Sequence, residues 1–329
     1  MKKLKVFFVD FWNGFDLLDN FFVRFLSTKY NLIIDSNNPD YLFYSSFGYK
    51  HFKFKDAIKI YFSAENTIPD FNLCDYALGF QYLDLADRYL RFPYYLFRDW
   101  ERISDLEKAM KPDSSLCNRK FCNFVYSNGS VADPFRKYFL DELSKYKKVD
   151  SGGTYLNNIG YVVDDKLDFI SKYKFTIAFE NSSTSGYTTE KLIHPMLVNS
   201  LPIYWGDPDI MREFNINSFI NVRGYNYVKE AIDQIVFLDS DKDAYLKALS
   251  DKKVLESNIK CRYQRKLDSF FENIFTQPLD QAKRRVRYGY AMKYEWEQRR
   301  VAPLIYSYKY MKFCGLIEKI NKILTRYEK

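Results

Sequence analysis

Short apolar runs alternate with helical and turn-rich segments along the first hundred residues of the chain. The runs are rich in Val, Ile, Leu, Phe and Tyr, and they lie at residues 4–11, 31–35, 41–47, 59–66 and 76–80. Apolar runs of this length, bounded by turn residues, are typical of buried strands. Residues 15–28 have helical spacing. Strands that alternate with helical or loop segments predict a parallel α/β sheet.

A second series of the same kind follows a predicted helix at residues 100–110 and a linker at residues 111–120. Its predicted strands and helices lie at residues 121–128, 134–146, 165–172, 175–181, 201–206 and 219–222, with further helices to about residue 275. Two α/β domains in tandem predict a cleft between them, where ligands of such sheets usually bind. The expected domains are residues 1–115 and 116–282, followed by a tail at residues 283–329.

Charge is concentrated in this tail. Of the formal net charge of +8, the tail carries +9, because it holds 13 Lys and Arg against four Glu. From Phe313 onward its apolar residues fall on one helical face, and "KRRVR" lies upstream at residues 283–287. This pattern suits a helix on an anionic membrane surface. Packing of the tail across the two domains is the alternative, and nucleic-acid binding is a third interpretation without a recognised module to support it.

Other composition data narrow the function classes. Five cysteines without regular spacing argue against a disulfide framework, and only two histidines argue against zinc. The apolar start is too short for a signal peptide, and no run of about 18 apolar residues exists to span a membrane. We therefore expect a cytoplasmic protein that could attach peripherally to the inner face of the membrane.

Two cations occupy the predicted first turns of helices, where carboxylates are the usual residues. Lys191 follows the loop "ENSSTSGYTTE", in which Thr188 or Thr189 can cap the helix, and Arg136 follows Asp133 as the predicted cap. Each helix comes directly after a strand, so both cations should lie at one edge of a parallel sheet. Helix amino termini and cations together predict an anion site, for which a phosphate or diphosphate is the natural ligand.

Further polar residues belong to the same predicted edges. Glu190 either complements the helix dipole or binds a ribose or sugar hydroxyl, Asn181 ends the preceding strand, and Tyr187 lies in the loop between them. In the first domain, Glu65 ends the strand at residues 59–66, a frequent catalytic placement. Asp239-Ser240-Asp241 could be a metal-binding D-x-D, but its helical flanks favour a cap between two helices.

The motifs that hold these residues resemble those of the family 10 α-1,3/4-fucosyltransferases, most closely bacterial enzymes of the Helicobacter type. The similar segments are "FTIAFENSSTSGYTTEKL" with "LPIYWG", "YFSAENTIPDFNLCDYALGF" and "VYSNGSVADPFRKYFLDEL". The resemblance covers about residues 58–275. It implies the GT-B fold, with two Rossmann-like domains facing a central cleft. It also implies a GDP-β-L-fucose donor and inversion at the anomeric carbon.

The resemblance also implies roles for single residues. Glu65 matches the general base of an amino-terminal acceptor-side domain, and Arg136 and Lys191 match the diphosphate ligands of a carboxyl-terminal nucleotide-sugar domain. The remaining donor-site matches are Asn181, Tyr161, Tyr187 and Glu190. Pro195 departs from the pattern, because a proline inside the Lys191 helix should bend or break it near His194.

The expected reaction is fucosyl transfer to O3 of GlcNAc in an N-acetyllactosamine-type glycan, without a required cofactor or metal, although a divalent cation could stimulate it. Two enzymatic alternatives stay open. The acceptor position could be O4, or both O3 and O4. The donor could be another nucleotide sugar, used by a GT-B transferase of different specificity. A membrane-associated binding protein with an inactive transferase fold is the alternative from another class. No nucleic-acid partner is expected.

Overall fold

The computed structural model describes residues 1–108 and 111–313, with side chains described up to residue 307. Within these residues the chain forms two compact units. Unit 1 contains Met1–Leu78, Leu85–Leu90 and the described residues from Phe270 to Phe313, and unit 2 contains the described residues of Gly79–Asp84 and Arg91–Ser269. Both units combine a sheet with helices, as the alternating pattern predicts.

The sheet of unit 1 has six strands in the order β2-β1-β3-β4-β5-β6, the last two of which reach unit 2 at Gly79 and Arg91. The strands are β1 (Lys3–Val9), β2 (Asn31–Ile34), β3 (Tyr41–Tyr44), β4 (Ile58–Phe62), β5 (Tyr76–Gly79) and β6 (Tyr89–Arg91). The pairs from β2 through β5 are parallel. Every residue of β3, β4 and β5 is buried, which explains why these strands are mostly apolar, although β4 also buries Lys59.

The sheet of unit 2 has five strands in the order β11-β10-β9-β7-β8, and all its pairs are parallel. The strands are β7 (Lys120–Phe124), β8 (Val149–Ser151), β9 (Tyr173–Phe179), β10 (Leu201–Trp205) and β11 (Ile220–Asn221). Strand β9 is central and buried along its whole length. Because the strands are parallel, the residues after β7, β9 and β10 share one edge of the sheet.

The helices are numbered in chain order. They are α1 (Phe21–Leu26), α2 (Tyr94–Arg98), α3 (Phe135–Ser144), α4 (Lys166–Ile170), α5 (Glu190–Leu197), α6 (Val228–Ser240), α7 (Lys242–Ser250), α8 (Ile259–Thr276), α9 (Leu279–Ala282) and α10 (Gly289–Phe313). The last turns of α8 belong to unit 1, where Phe271 packs against Phe22 and Phe25 of α1.

The units differ in their bounds from the predicted domains. The segment from Arg91 to residue 115 belongs to unit 2, because β6 leads directly into α2, which packs on α5. The end of α8 and the chain after it belong to unit 1 rather than to a separate tail. The predicted helix at residues 100–110 is a 3₁₀ segment at Ile103–Glu107. Strand β8 was not predicted, since it has only three residues.

The basic segment "KRRVR" binds other parts of unit 1. Arg284 pairs with Asp87 at 2.6 Å, and the buried Arg285 pairs with Asp75 at 3.0 Å. The basic residues Arg284 and Arg285 therefore hold this segment against unit 1. The predicted amphipathic helix from Phe313 lies outside the described residues beyond its first position. In the described part of the chain, no helix has both the length and the apolar character of a membrane span.

Candidate active site

Helix α5 begins at a threonine cap at the carboxyl edge of the unit 2 sheet. Thr189 is extended, is 1% exposed, and its Oγ1 accepts a hydrogen bond from Lys191 N at 3.4 Å. This confirms that one of the two predicted threonines caps the helix. The helix continues through Pro195 to Leu197, so it does not break near His194, and the alternative expectation of a bend there stays a prediction. Only two residues follow the proline within the helix, so little helix remains for it to disturb.

Lys191 lies among oxygen atoms in this first turn. Its Nζ is 3.2 Å from Glu180 Oε2, 3.1 Å from Thr189 Oγ1 and 3.9 Å from Glu190 Oε1, and its side chain is 16% exposed. Burial lowers the pKa of Lys191, but the carboxylates of Glu190 and Glu180 outweigh burial and raise the pKa above its ordinary value. The ammonium therefore stays charged and keeps a path to solvent.

Glu180 organises the site, although the sequence analysis did not single it out. It follows β9 directly, its side chain is fully buried, and its carboxylate accepts hydrogen bonds from Thr189 N at 2.7 Å and Thr189 Oγ1 at 2.8 Å. Burial raises the pKa of Glu180, and Lys191 opposes that shift. A Cβ at Gly206 would lie 2.4 Å from Glu180 Cγ, so the carboxylate needs a glycine after β10.

Glu190 carries the second carboxylate of the cluster and is 19% exposed. Burial raises its pKa, but Lys191, Lys166 and His194 together lower the pKa of Glu190 to about 2. Lys166, at the start of α4, is a second cation beside this turn that the sequence analysis missed, and burial lowers its pKa. Glu190 is therefore ionised and accepts hydrogen bonds without donating them.

Arg136 reaches the same strand end from helix α3. The helix begins at Phe135 with Pro134 as its N-cap, one residue after the predicted cap Asp133, whose Oδ1 nevertheless accepts from Phe135 N at 2.9 Å. Arg136 is 1% exposed, and its Nη2 donates to three oxygens: Phe179 O at 3.0 Å, Glu180 O at 2.8 Å and Asn181 Oδ1 at 2.9 Å. Glu180 thus joins the two predicted cations, since its carbonyl binds Arg136 and its carboxylate binds Lys191.

The charge of Arg136 is not balanced by a carboxylate. All its oxygen partners are carbonyl or amide oxygens, its guanidinium lies 4.0 Å from the centre of the Tyr126 ring, and no described carboxylate pairs with it. Its buried Nε has no hydrogen-bond partner within the described chain. We call Arg136, Glu180, Glu190 and Lys191 the Lys191 cluster. It lies at the amino terminus of α5, where the helix dipole is positive.

The loop before α5 is fixed by contacts with Asp207 and Phe80. Gly186 has φ of +80°, donates from its N to Asp207 Oδ1 at 2.8 Å, and leaves no room for a Cβ, which would lie 2.4 Å from Phe80 O. Tyr187 is 2% exposed, and its ring centre is 5.0 Å from that of Phe80. The backbone of this loop is therefore fixed before any ligand binds.

Two further residues from the sequence analysis make no recorded hydrogen bond or ion pair with the Lys191 cluster in the described chain. Tyr161 is 59% exposed in the loop before α4, and its carbonyl accepts a hydrogen bond from Asn157 Nδ2 at 2.8 Å. Its role in donor binding stays a prediction. His194 Nε2 lies 3.3 Å from Asp99 Oδ1 and is occupied by that buried pairing.

Glu65 lies in unit 1, in the turn that follows β4. Its N donates to Ser63 Oγ at 3.0 Å and its carbonyl accepts from Thr67 N at 2.7 Å, so the backbone of the turn is fixed. Its side chain is half-buried, and no described residue binds the carboxylate. The structure confirms a free carboxylate just beyond the carboxyl end of a parallel strand.

Asp239-Ser240-Asp241 has the sequence pattern of a metal-binding motif, but both aspartates are bound by other groups of the protein. Asp241 Oδ1 accepts from Ala244 N at 2.9 Å and caps α7, as predicted. Asp239 pairs with Lys174 at 2.6 Å and with Lys147 at 3.0 Å. Across the described residues, no group of three or more His, Cys, Asp or Glu is arranged to hold a metal ion.

Segments of both units match models of known protein families. Residues 6–98 match the α-(1,3)-fucosyltransferase FucT amino-terminal domain, and residues 116–273 match the carboxyl-terminal domain of glycosyltransferase family 10 (fucosyltransferase). The chain is 36% identical over 260 residues to the α-(1,3)-fucosyltransferase FucT of Helicobacter pylori, which covers 68% of this chain and 54% of that protein. It is 30% identical over 167 residues to the putative fucosyltransferase R654 of Acanthamoeba polyphaga mimivirus, covering 47% of this chain and 26% of that protein. The chain therefore spans about half the length, or less, of these relatives.

Solved structures agree with the family match. An α1,3-fucosyltransferase crystal structure has a TM-score of 0.73 at 29% identity, covering 84% of this chain and 91% of that one. The crystal structure of an α1,3-fucosyltransferase with GDP-fucose has a TM-score of 0.68 at 29% identity, covering 83% of this chain and 90% of that one. Together with the two parallel sheets, this likeness confirms the expected α/β fold of the GT-B type. The family matches cover most of the described chain, and the chain belongs to glycosyltransferase family 10, the fucosyltransferases.

Proposed function

We propose that the chain transfers L-fucose from GDP-β-L-fucose to O3 of GlcNAc in N-acetyllactosamine-type glycans, with inversion at the anomeric carbon. The observation that carries the proposal is the Lys191 cluster, in which Arg136 and Lys191 meet at Glu180 beside the amino terminus of α5. The donor assignment is supported by the solved α1,3-fucosyltransferase with GDP-fucose, which is similar to this chain.

The Lys191 cluster suits a leaving diphosphate. Lys191 is 16% exposed and can donate to a phosphate oxygen, while the N–H groups of the first turn of α5 point the same way. Arg136 adds a buried positive charge that no carboxylate cancels. As the fucosyl bond breaks, negative charge grows on the diphosphate, and fixed cations stabilise that charge without having to reorganise.

The other donor residues have polar roles in this proposal. Glu190, ionised and partly exposed, accepts hydrogen bonds from sugar or ribose hydroxyls. Asn181 holds Arg136 through its Oδ1 and leaves its amide group for the donor, and Tyr187 is the wall of the fixed loop. Tyr161, exposed in the loop before α4, is the remaining donor residue of the proposal.

Glu65 is the proposed general base. Its carboxylate takes the proton from the acceptor hydroxyl, the acceptor oxygen forms a bond to fucose C1, and the bond from C1 to the diphosphate oxygen breaks on the opposite face. The electron pair leaves with GDP, so charge and atoms balance without a metal. A free carboxylate suits this role, because it is not already occupied by a donor. We infer that no cofactor is required, and that a divalent cation could stimulate GDP release.

Several finer assignments belong to the same proposal. Lewis-type antigens on lipopolysaccharide are the expected products, and the expected location is the cytoplasm or the inner face of its membrane. Transfer to O4 on type 1 chains, or to both positions, is the alternative for acceptor choice. A different nucleotide sugar is the alternative for the donor, and thermal shifts with GDP, UDP and CMP separate these donors.

The decisive assay supplies GDP-fucose with type 1 and type 2 lactosamine disaccharides and determines the product linkage by NMR. We expect an α-1,3 linkage on the type 2 acceptor. An α-1,4 product on the type 1 acceptor would favour the alternative specificity. If GDP-fucose binds but no lactosamine acceptor is fucosylated, the chain is a binding protein with an inactive transferase fold.

Glu65→Gln tests the base within that assay. The amide keeps the volume of the side chain but cannot accept the proton. We expect kcat to fall by about 10²–10⁴-fold, with GDP-fucose affinity unchanged. Asp70→Asn is a matched control, since Asp70 is a nearby loop carboxylate of unit 1 whose Oδ1 and Oδ2 are already bound by Asn72 and Tyr294. A near-wild-type rate for Glu65→Gln would remove Glu65 as the base.

A further inference from the structure

A cavity of about 370 Å³ opens on unit 1, and none of its lining residues is among those assigned to the reaction. It forms where the chain before β4 meets the first turns of α10, and we call it the Trp296 pocket. Its walls combine aromatic or apolar side chains with charged ones, and they are Phe52, Lys55, Asp56, Arg285, Arg287, Met292, Glu295, Trp296 and Arg299. Its volume is within the range of small-molecule sites.

The charged wall of the pocket has two cations without partners. Arg285 pairs with Glu295 at 3.1 Å, and Arg287 pairs with Asp56 at 3.6 Å, so these four groups balance one another. Lys55 and Arg299 remain. Neither has a carboxylate within ion-pair distance among the residues that the structure describes, although both line the cavity. The pocket therefore has an excess charge of two and suits an anionic ligand.

The apolar wall is suited to a ring. Trp296 is 53% exposed, and the Arg300 guanidinium lies 4.5 Å from its ring centre, which helps to hold the indole in place. Met292 is 55% exposed, whereas Phe52 is buried at the base of the cavity. An exposed indole face packs well against the C–H groups of a sugar ring. A cavity that encloses its ligand also fits such a ring better than a flat bilayer surface.

We propose that the Trp296 pocket binds an anionic saccharide, a sugar ring that carries a phosphate or carboxylate group, within a long acceptor glycan. This inference rests on the proposed function, because it makes the pocket a second contact for the acceptor. Trp296 contacts the ring, and Lys55 and Arg299 bind the anionic group.

The position of the pocket determines which acceptors can use it. Asp56 precedes the amino end of β4, and Glu65 follows its carboxyl end. The five residues of β4 span about 17 Å at about 3.3 Å each, so only a chain of several sugars can reach both places. Binding at the pocket raises the effective concentration of the fucosylated end near Glu65. It therefore lowers KM and leaves kcat unchanged.

The test compares three acceptors that end in the same lactosamine unit. They are the free disaccharide, a long neutral glycan, and the same long glycan with a phosphate or carboxylate on an inner sugar. For the wild-type protein, we expect KM for the charged glycan to be about tenfold lower than for the neutral one, which is about 1.4 kcal/mol. The double variant K55A/R299A should lose this difference and keep its kcat on the free disaccharide.

A matched control removes the same charge elsewhere. K53A/K293A takes two exposed cations from the same segments without touching the pocket, because neither lysine lines it. This control should keep the tenfold preference. Equal KM values for the charged and neutral long glycans in the wild-type protein would overturn the inference. An equal loss of preference in both double variants would also overturn it, because the effect would then be general electrostatic attraction.

Direct binding separates this inference from the proposed function. N-acetylglucosamine 1-phosphate and N-acetylneuraminic acid should quench the fluorescence of wild-type protein, and Trp296→Phe should abolish that quenching. If these sugars bind but no acceptor is fucosylated, the proposed function fails and the pocket assignment survives. Normal fucosylation without sugar binding rejects the pocket alone. Phosphatidylglycerol vesicles are the third probe, and binding to vesicles but not to sugars would assign the site to a membrane instead.

Discussion

Two clusters of buried charges, one in each unit, contain the same kinds of group in different arrangements. The Lys191 cluster of unit 2 holds an arginine, a lysine and two glutamates. The Arg285 cluster of unit 1 holds Arg285, Lys59, Asp75 and Glu295, which bind one another at 3.0–3.1 Å. Each cluster has two cations and two carboxylates. Only the one in unit 2 contains an arginine that pairs with no carboxylate among the described residues.

The difference lies in how the arginine is used. Arg285 donates to Asp75 Oδ2 and to Glu295 Oε1, so its charge is cancelled where it stands. Arg136 donates only to neutral oxygens, so its charge persists at the strand end. The lysines differ as well. Lys59 is fully buried, and burial together with Arg285 lowers its pKa to about 8, whereas the pKa of Lys191 is raised. A cluster that leaves one buried cation uncancelled and another partly exposed can accept an anion.

Arg285→Ala should have the largest effect on stability. It leaves Asp75, which is fully buried, without its cationic partner, and breaking such a pair costs about 3–5 kcal/mol. Urea unfolding should show the loss, while the affinity for GDP in the remaining folded protein should not change. Arg284→Ala is the control, since its pairing with Asp87 is partly exposed and should contribute less than about 1 kcal/mol. Similar losses in both variants would contradict the difference between a buried and a surface pairing.

Lys191→Ala should affect ligand binding more than stability, which is the reverse of the effect expected for Arg285→Ala. We expect it to weaken GDP-fucose binding by about 1.5–3 kcal/mol, as for a hydrogen bond to a charged group, and to change the acceptor KM much less. Its effect on stability should be smaller than that of Arg285→Ala, because the side chain of Lys191 is 16% exposed whereas that of Arg285 is 2% exposed. Calorimetric titration with GDP-fucose measures the affinity.

The exposed Lys137 on α3, paired with Asp141, offers a matched control for Lys191. Lys137→Ala removes the same charge from the same unit and should leave donor affinity unchanged. If Lys191→Ala binds GDP-fucose as tightly as the control does, the anion site at the start of α5 is wrong.

The sequence predicted the two cations of the Lys191 cluster because their position contradicts a local rule. A lysine and an arginine in first helical turns are unfavourable unless an anion binds, so Lys191 and Arg136 could be recognised without coordinates. The strands around them were predicted from their high content of apolar residues, and both β9 and β10 are buried along their whole length.

Glu180 and Lys59 could not be recognised in the same way. In the sequence, Glu180 resembles an ordinary loop acid, whereas the structure shows it buried against Gly206. The only sequence signal that could have identified Glu180 was its position directly after a predicted buried strand. Lys59, inside "IKIYF", suggests a strand with one face in water, yet every residue of β4 is buried. Its partner Glu295 lies 236 residues later in the chain, a separation that no local pattern encodes.

The low pKa of Lys59 predicts a pH dependence of stability. Its pKa is about 8 in the folded protein against the ordinary 10.5, so between these values the unfolded chain holds a proton that the folded protein has released. The free energy of unfolding should therefore rise as pH increases from about 8 to 10, by roughly 2 kcal/mol. The pKa values of Tyr41 and Tyr76, raised to about 12, begin to oppose this gain above pH 10.

Lys59→Met isolates that contribution. Urea unfolding of this variant at a series of pH values should show a smaller rise, and the rise that remains belongs to Lys253, whose pKa burial also lowers to about 8. At neutral pH the variant should be as stable as the wild-type protein or more so, because Arg285 still pairs with Glu295. A pH dependence identical to that of the wild-type protein would show that Lys59 titrates normally.

Thr189 offers the smallest and most local test of the comparison. The carboxylate of Asp75 is oriented by backbone groups, Lys59 N at 2.8 Å and Arg285 N at 2.9 Å, and no hydroxyl takes part. In the Lys191 cluster, a single hydroxyl caps α5, donates to Glu180 and contacts Lys191 Nζ. Thr189→Ala should therefore cost about 1 kcal/mol of stability, as for loss of a helix cap, together with a modest loss of donor affinity. Thr189→Ser should restore both, because it returns the hydroxyl without the methyl group. Thermal unfolding and GDP-fucose titration of the two variants measure these effects, and a serine variant as impaired as the alanine variant would assign the role to packing of the methyl group instead.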